Sequence, residues 1–258
     1  MLFFRRLIGL LVTLFVAQGC GKLDHESDLL IYGGRLVNAN ERVAEYTVAL
    51  VQDGRIFCSG VLASPTVVVT AAHCKGFVNK RKSLQVGFGV SLAGLQTVTA
   101  TDFVSHPDYN PTLMRSGRTD ASAYDIGVIL LEDPAPEGFR PINILPNSAR
   151  LTVRRSVLVA GFGKTDLPDP DKRGAVVSGK LLQVNMKLKA VESGSKEVWF
   201  GLTPGKASCN GDSGGPGVVV DRGVHKLLGV TSRGIDCRSD VIYTDVTTYG
   251  EWLSQFGL

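Results

Sequence analysis

Three short segments of this chain hold residues that together can hydrolyse an amide. Ser213 lies in the glycine-rich string Gly211-Asp212-Ser213-Gly214-Gly215-Pro216, with Cys209 ahead of it. His73 stands in Thr70-Ala71-Ala72-His73-Cys74, and Asp125 opens Asp125-Ile126-Gly127-Val128-Ile129-Leu130-Leu131. A serine hydroxyl is a poor nucleophile until a neighbouring base takes its proton. An imidazole does so near neutral pH, because its unperturbed pKa is about 6.5. A buried carboxylate then holds the ring in the correct tautomer and stabilises the imidazolium. Backbone N–H groups must meet the oxyanion, each contributing about 3–4 kcal/mol. Glycines around the serine let consecutive N–H groups converge on one point.

Other residues have weaker claims to these roles. The chain has four histidines. His25 lies near the N-terminus, His106 in a loop before Pro107 and His225 in a hairpin turn, and all three are read as surface residues. His73 directly follows the apolar triplet Val67-Val68-Val69 and Thr70, and Cys74 can staple its loop to Cys58. A disulfide closing such a loop contributes about 3 kcal/mol and fixes the backbone that carries the imidazole. Asp125 sits at the mouth of an apolar strand, where a carboxylate is costly unless hydrogen-bonded. Asp102 and Asp120 lead into no such strand.

The elements that must carry these residues read as short strands. Runs rich in β-branched or apolar residues fall at 47–52, 61–62, 67–70, 84–88, 97–101, 126–131, 156–160, 181–188, 217–220 and 227–231. With 30 glycines and 11 prolines spaced between them, the pattern argues for an all-β barrel or sandwich rather than βαβ units. One helical period appears, in Tyr249, Trp252, Leu253 and Phe256 at i, i+3, i+4, i+7, and predicts a closing helix over 247–257. The proline-bearing stretch 134–146 divides the chain into two halves, and 164–174 reads as a polar loop.

Composition narrows the function classes. Hydrophobic residues make up 44% and charged residues 20%, ordinary for a globular protein. The net charge of +4 is modest, without a dense basic helix or stacking aromatics, so a nucleic-acid partner is not expected. Arg5-Arg6, the apolar run 7–17 and the small residues beyond it describe an export signal, too short to span a bilayer. Of the 5 cysteines, Cys58, Cys74, Cys209 and Cys237 lie in the body and should pair in an exported protein. Cys20 ends Val16-Ala17-Gln18-Gly19-Cys20, which resembles a bacterial lipoprotein processing site with the cysteine as lipid acceptor. Export is the expectation, to the periplasm, to the outer membrane through a lipid anchor at Cys20, or outside the cell; ordinary signal cleavage with Cys20 incidental is the alternative.

Taken together, these segments resemble the trypsin/chymotrypsin family of serine peptidases. The likeness runs from Ile31-Tyr32-Gly33-Gly34 to the C-terminus, through Phe57-Cys58-Ser59-Gly60, His106-Pro107-Asp108-Tyr109-Asn110 and Gly161-Phe162-Gly163. It implies an all-β fold of two six-stranded antiparallel barrels, one over about 31–140 and one over about 141–245, with the active site between them. His73, Asp125 and Ser213 become the catalytic triad, the N–H groups of Gly211 and Ser213 the oxyanion hole, and Ser232 a support for Asp125. Disulfides Cys58–Cys74 and Cys209–Cys237 are expected, with Cys20 outside both. Ala207, Ser208, Ser232, Arg233, Gly234 and Val241 fall at the substrate pocket. Ala207 stands at its floor, where trypsins carry an aspartate; Arg233 replaces a tryptophan that lines the cleft; Val241 stands where glycine is common and narrows the pocket. Cleavage after small or medium apolar residues is the expectation.

The resemblance also implies activation. Residues 1–20 are read as export signal and 21–30 as a propeptide or tether, so that a cut between Leu30 and Ile31 frees an amine to pair with Asp212 and releases the enzyme from its anchor. The cationic loop Lys75, Lys80, Arg81, Lys82 lacks the acidic ligands of the calcium loop found in trypsins, so neither metal nor cofactor is expected. Expected partners are protein or peptide substrates and protein inhibitors, with the chain a monomer. Two alternatives remain open: a catalytically silent binding protein on the same fold, and an esterase using the same chemistry.

Overall fold

β-Branched side chains pack well on a pleated, half-buried surface, and the Val- and Ile-rich runs accordingly form strands. The computed structural model describes residues 34–116, 122–163, 179–201, 211–234 and 240–258. The chain enters at β1 (Arg35–Leu36) and then builds β2 (Thr47–Gln52), β3 (Arg55–Ser64), β4 (Val67–Thr70), β5 (Gln85–Phe88), β6 (Gln96–Ser105), the short helix α1 (Pro111–Ser116) and β7 (Gly127–Leu131). Strands β2 to β7 close into one barrel in the order β2-β3-β4-β7-β6-β5. A short β8 (Asn143–Ile144) crosses to the second half. There β9 (Ser156–Gly161), β10 (Leu182–Glu192), β11 (Glu197–Gly201), β12 (Pro216–Asp221), β13 (Val224–Gly234) and β14 (Val241–Asp245) follow. They form the ring β9-β10-β11-β14-β13-β12, which the β9–β10 pairing closes. The fold is two six-stranded antiparallel barrels, with β1 paired onto β10 and β8 lying parallel to β13.

Each barrel has its own filling. Val48, Leu50, Leu62, Val68 and Ile129 are wholly buried in the first, and Val159, Leu182, Met186, Leu188 and Phe200 in the second. Burying one such side chain contributes about 1.5–3 kcal/mol before entropy is set against it.

The sequence pattern and the strands agree where a run is mostly apolar and buried along its whole length, as in β2 and β4. It missed β11 and β14, and it over-regularised the C-terminus. There α2 spans only Gly250–Leu253, between 3-10 turns at Val246–Thr248 and Ser254–Phe256. Asp245 accepts from the N–H of Thr247, which fixes the entry, and Gly257 at φ 77° ends the last turn. The apolar face is as read: Tyr249, Trp252 and Leu253 are buried against the first barrel's core.

Candidate active site

The residues singled out by chemistry sit at the ends of strands. β4 delivers the chain into the 3-10 turn Ala72–Phe77, which carries His73. A disulfide from Cys74 to Cys58 of β3, closing a separation of 16 residues, ties this turn to the barrel wall. Asp125 precedes β7 and is only 2% exposed. Tyr124, at φ 49°, bends the backbone just before it.

Every oxygen of that aspartate is engaged. Oδ1 accepts the backbone N–H of His73 at 2.9 Å, and Oδ2 lies 2.8 Å from His73 Nδ1. Ser232 Oγ donates to Oδ2 at 2.6 Å, and Thr244 Oγ1 donates to the Asp125 backbone carbonyl at 2.8 Å. Since the carboxylate accepts, Nδ1 carries the ring proton and Nε2 is left as the basic nitrogen.

The serine turn is packed against the first barrel. Gly211 adopts φ 101° and Gly214 φ 78°, backbone conformations that favour glycine. A Cβ on Gly214 would also run into Thr70 Oγ1 and the Ser59 carbonyl. The turn is held by N–H donation from Gly214 to the Thr231 carbonyl at 2.8 Å and from Gly215 to the Asp212 carbonyl at 2.7 Å. The Ser213 carbonyl accepts from Ser59 N–H at 2.8 Å and touches the Cys74 sulfur at 3.8 Å. That sulfur is bonded in the disulfide and carries no proton, so the contact is van der Waals packing. Ser213 therefore stands beside the histidine turn. Among the described residues the N–H groups of Gly211 and Ser213 have no acceptor, and no hydrogen bond joins Ser213 Oγ to His73 Nε2. In unliganded sites that last contact is often long and tightens on substrate.

Asp212 points the other way, into the second barrel, and is 1% exposed. Its Oδ1 accepts Gly163 N–H at 2.9 Å. A Cβ on Gly163 would come within 2.5 Å of the Asp212 Cγ, and one on Gly161 would also strike the carboxylate. The sequence Gly161-Phe162-Gly163 is the socket for that carboxylate.

Several expected site residues are found elsewhere or are otherwise engaged. Ala207, Ser208, Cys209, Cys237, Ile31 and Cys20 lie outside the described residues. Arg233 does not stand free along a cleft. It forms a two-pronged ion pair with Glu197 of β11, at 2.6 and 3.1 Å, with side chains 12% and 4% exposed. Val241 is 1% exposed and joins the core cluster of the second barrel, so its side chain belongs to the wall rather than projecting into open space. Gly234, across the ladder from Val241, is exposed.

The histidines read as surface residues are also more enclosed than expected. His106 stacks on Tyr124 with ring centroids 4.9 Å apart and packs against Tyr249 and Trp252. His225 Nδ1 lies 2.8 Å from the hydroxyl of buried Tyr46. The four cations of the loop after Cys74 are exposed. Ligand atoms of Cys58, His73 and Cys74 lie within 4.8 Å of one another, but both sulfurs are spent in the disulfide and Nδ1 faces Asp125. That donor set does not suit a metal. Sequence reasoning gave no role to Glu197 or to the Ser59 side chain, because each acts on a residue far away in the chain.

Known proteins place this geometry. The model of the family described as Trypsin matches residues 31–253. A trypsin of Saccharopolyspora erythraea is 32% identical over 222 residues, covering 80% of this chain and 88% of the relative. Glucanase inhibitor protein 2 of Phytophthora infestans is 27% identical, with 96% and 97% covered. Among solved structures, neuropsin, a serine protease expressed in the limbic system of mouse brain, superposes with a TM-score of 0.67 at 24% identity, over 87% of this chain and 99% of that one. At that identity neuropsin speaks for the fold alone. The chain belongs to the trypsin family.

Proposed function

We propose that this chain is a serine endopeptidase that works through His73, Asp125 and Ser213. The observation that carries this reading is the clamp on the imidazole, in which a buried Asp125 holds both the ring Nδ1 and the backbone N–H of His73. Ser213 Oγ attacks the scissile carbonyl carbon while His73 Nε2 takes its proton. The oxyanion settles against the N–H groups of Gly211 and Ser213, and the C–N bond breaks as His73 protonates the leaving amine. Water, deprotonated by the same nitrogen, then hydrolyses the acyl-enzyme.

The finer reading concerns substrate and activation. The family resemblance puts Ala207 at the pocket floor, where a substrate Lys or Arg would be buried without a counter-charge, which is expensive. Glu197, already paired with Arg233, offers no free counter-charge either. Cleavage after Ala, Val or Leu follows. The buried Asp212 carboxylate supports pairing with a freed amine at Ile31, made by a cut after Leu30. In this proposal export is directed by residues 1–20, Cys20 carries lipid, and the cut releases the active enzyme from the membrane.

The second reading, a catalytically silent binding protein on the same fold, is favoured by relatives whose names are glucanase inhibitor proteins. A peptide-library digest of the form beginning at Ile31 separates the two. The proposal predicts internal cleavage after small or medium apolar residues. Cleavage after Arg and Lys would overturn the specificity, and an undigested library would favour the silent protein.

A further inference from the structure

Ser59 meets the nucleophile turn from the opposite barrel, and the catalytic scheme above has not used it. It lies in β3 next to the disulfide cysteine Cys58 and is wholly buried. Its N–H donates to the carbonyl of Ser213 at 2.8 Å, and its Oγ donates to the carbonyl of Gly211 at 2.9 Å. The same Oγ accepts the N–H of Phe162 at 2.9 Å, inside the socket of Asp212. Its own carbonyl accepts Thr70 Oγ1 at 2.8 Å, at the foot of the histidine turn.

One residue thus binds the carbonyls of Gly211 and Ser213, whose N–H groups have no acceptor among the described residues. The hydroxyl has a single proton to donate, and it is committed to Gly211. Gly211 is held at φ 101° with no side chain to resist a change. Fixing its carbonyl fixes the plane of the peptide joining Gly211 to Asp212, which lies between the two peptides whose N–H groups are the donors. The Phe162 contact ties that plane to the loop around Asp212.

We propose that Ser59 is a positioning residue for the oxyanion hole, acting through its hydroxyl on the Gly211 carbonyl. This rests on the peptidase reading of the site. A polar group aimed at developing charge works only while it is held in place, and losing one oxyanion donor outright lowers kcat by about 100- to 1000-fold. Loosening one donor should have a smaller effect. Ser59→Ala should lower kcat about 10-fold while leaving KM within about 2-fold, since the substrate carbonyl is bound more weakly only once it carries charge.

The test compares wild type, Ser59→Ala, Ser59→Gly and Ser59→Thr for kcat and KM on one apolar peptide substrate. It also compares affinity for a peptide boronate, whose tetrahedral adduct with Ser213 places an anionic oxygen in the hole, and for the cleaved product peptide, which does not. Ala and Gly should weaken the boronate about 10-fold and leave the product unchanged, and Thr, which keeps the hydroxyl, should recover most of the loss. Ser59→Gly removes the same hydroxyl at a different packing cost and keeps the test open if the alanine variant does not fold. Folded Ala or Gly variants with wild-type kcat and boronate affinity would overturn the proposal while the peptidase reading stands. Equal weakening of boronate and product would also overturn it, as general loosening. A folded wild type that neither turns over substrate nor takes up boronate would remove the peptidase reading, and this proposal with it.

Discussion

At the scale of single residues, what distinguishes this chain is how its buried charges are answered. Asp125 is met by His73 and Ser232, Asp212 by the glycines that admit it, and Arg233 by Glu197. The last pair was not legible in the sequence. Arg233 follows the serine that supports Asp125 and looked like a substitution facing substrate. Its partner lies 36 residues earlier on a different strand. Local pattern says nothing about such a pairing, and β11, headed by Glu197, was absent from the strands read from sequence. Removing one member of a buried pair leaves the other charge uncompensated and costs about 3–5 kcal/mol. Glu197→Gln should therefore lower the thermal midpoint by many degrees, and a Glu197→Leu/Arg233→Met double variant should recover much of it. Denaturant unfolding checks this; a Gln variant as stable as wild type would mean that solvent screens the pair.

At the scale of elements, two histidines join parts of the fold that are distant in sequence. His106, after β6, lies under the C-terminal α2 among Tyr124, Tyr249 and Trp252. His225, at the start of β13, meets Tyr46 from the first barrel. Burial lowers both pKa values; Lys196 near His106 and Arg42 near His225 push the same way, while Asp108 and Glu45 oppose them. A histidine with a lowered folded pKa favours the neutral ring in the fold. Its stabilisation is present above the unfolded value of about 6.5 and is lost as pH falls through that value towards the folded one. The thermal midpoint should fall between about pH 7 and pH 5, and a His106→Phe/His225→Gln variant should show a shallower fall. An unchanged slope in that variant would contradict the assignment. The sequence showed both histidines as loop residues because their burial comes from aromatic rings on other elements.

At the scale of the whole molecule, the two barrels divide the labour. The first presents His73 and Asp125 from the ends of β4 and β7. The second presents Ser213 ahead of β12 and Ser232 within β13. His73 and Asp125 were readable because each sits at the edge of an apolar run where a polar residue stands out, Ser213 because of its glycine-rich string, and Ser232 only through the family resemblance. Their mutual distances were not, since those depend on how two closed barrels meet. The most direct check of this account is an intact mass measurement of the form beginning at Ile31 after treatment with a fluorophosphonate, run alongside Ser213→Ala and paired with casein hydrolysis. Fluorophosphonates phosphonylate an activated serine with loss of fluoride. The account predicts one adduct, mapped to Ser213, and loss of casein hydrolysis in step with it. Ser213→Ala should take no label and lose turnover by several orders of magnitude, because triad members act as a unit. Casein hydrolysis that survives in Ser213→Ala, or a folded wild type that takes no label, would contradict it.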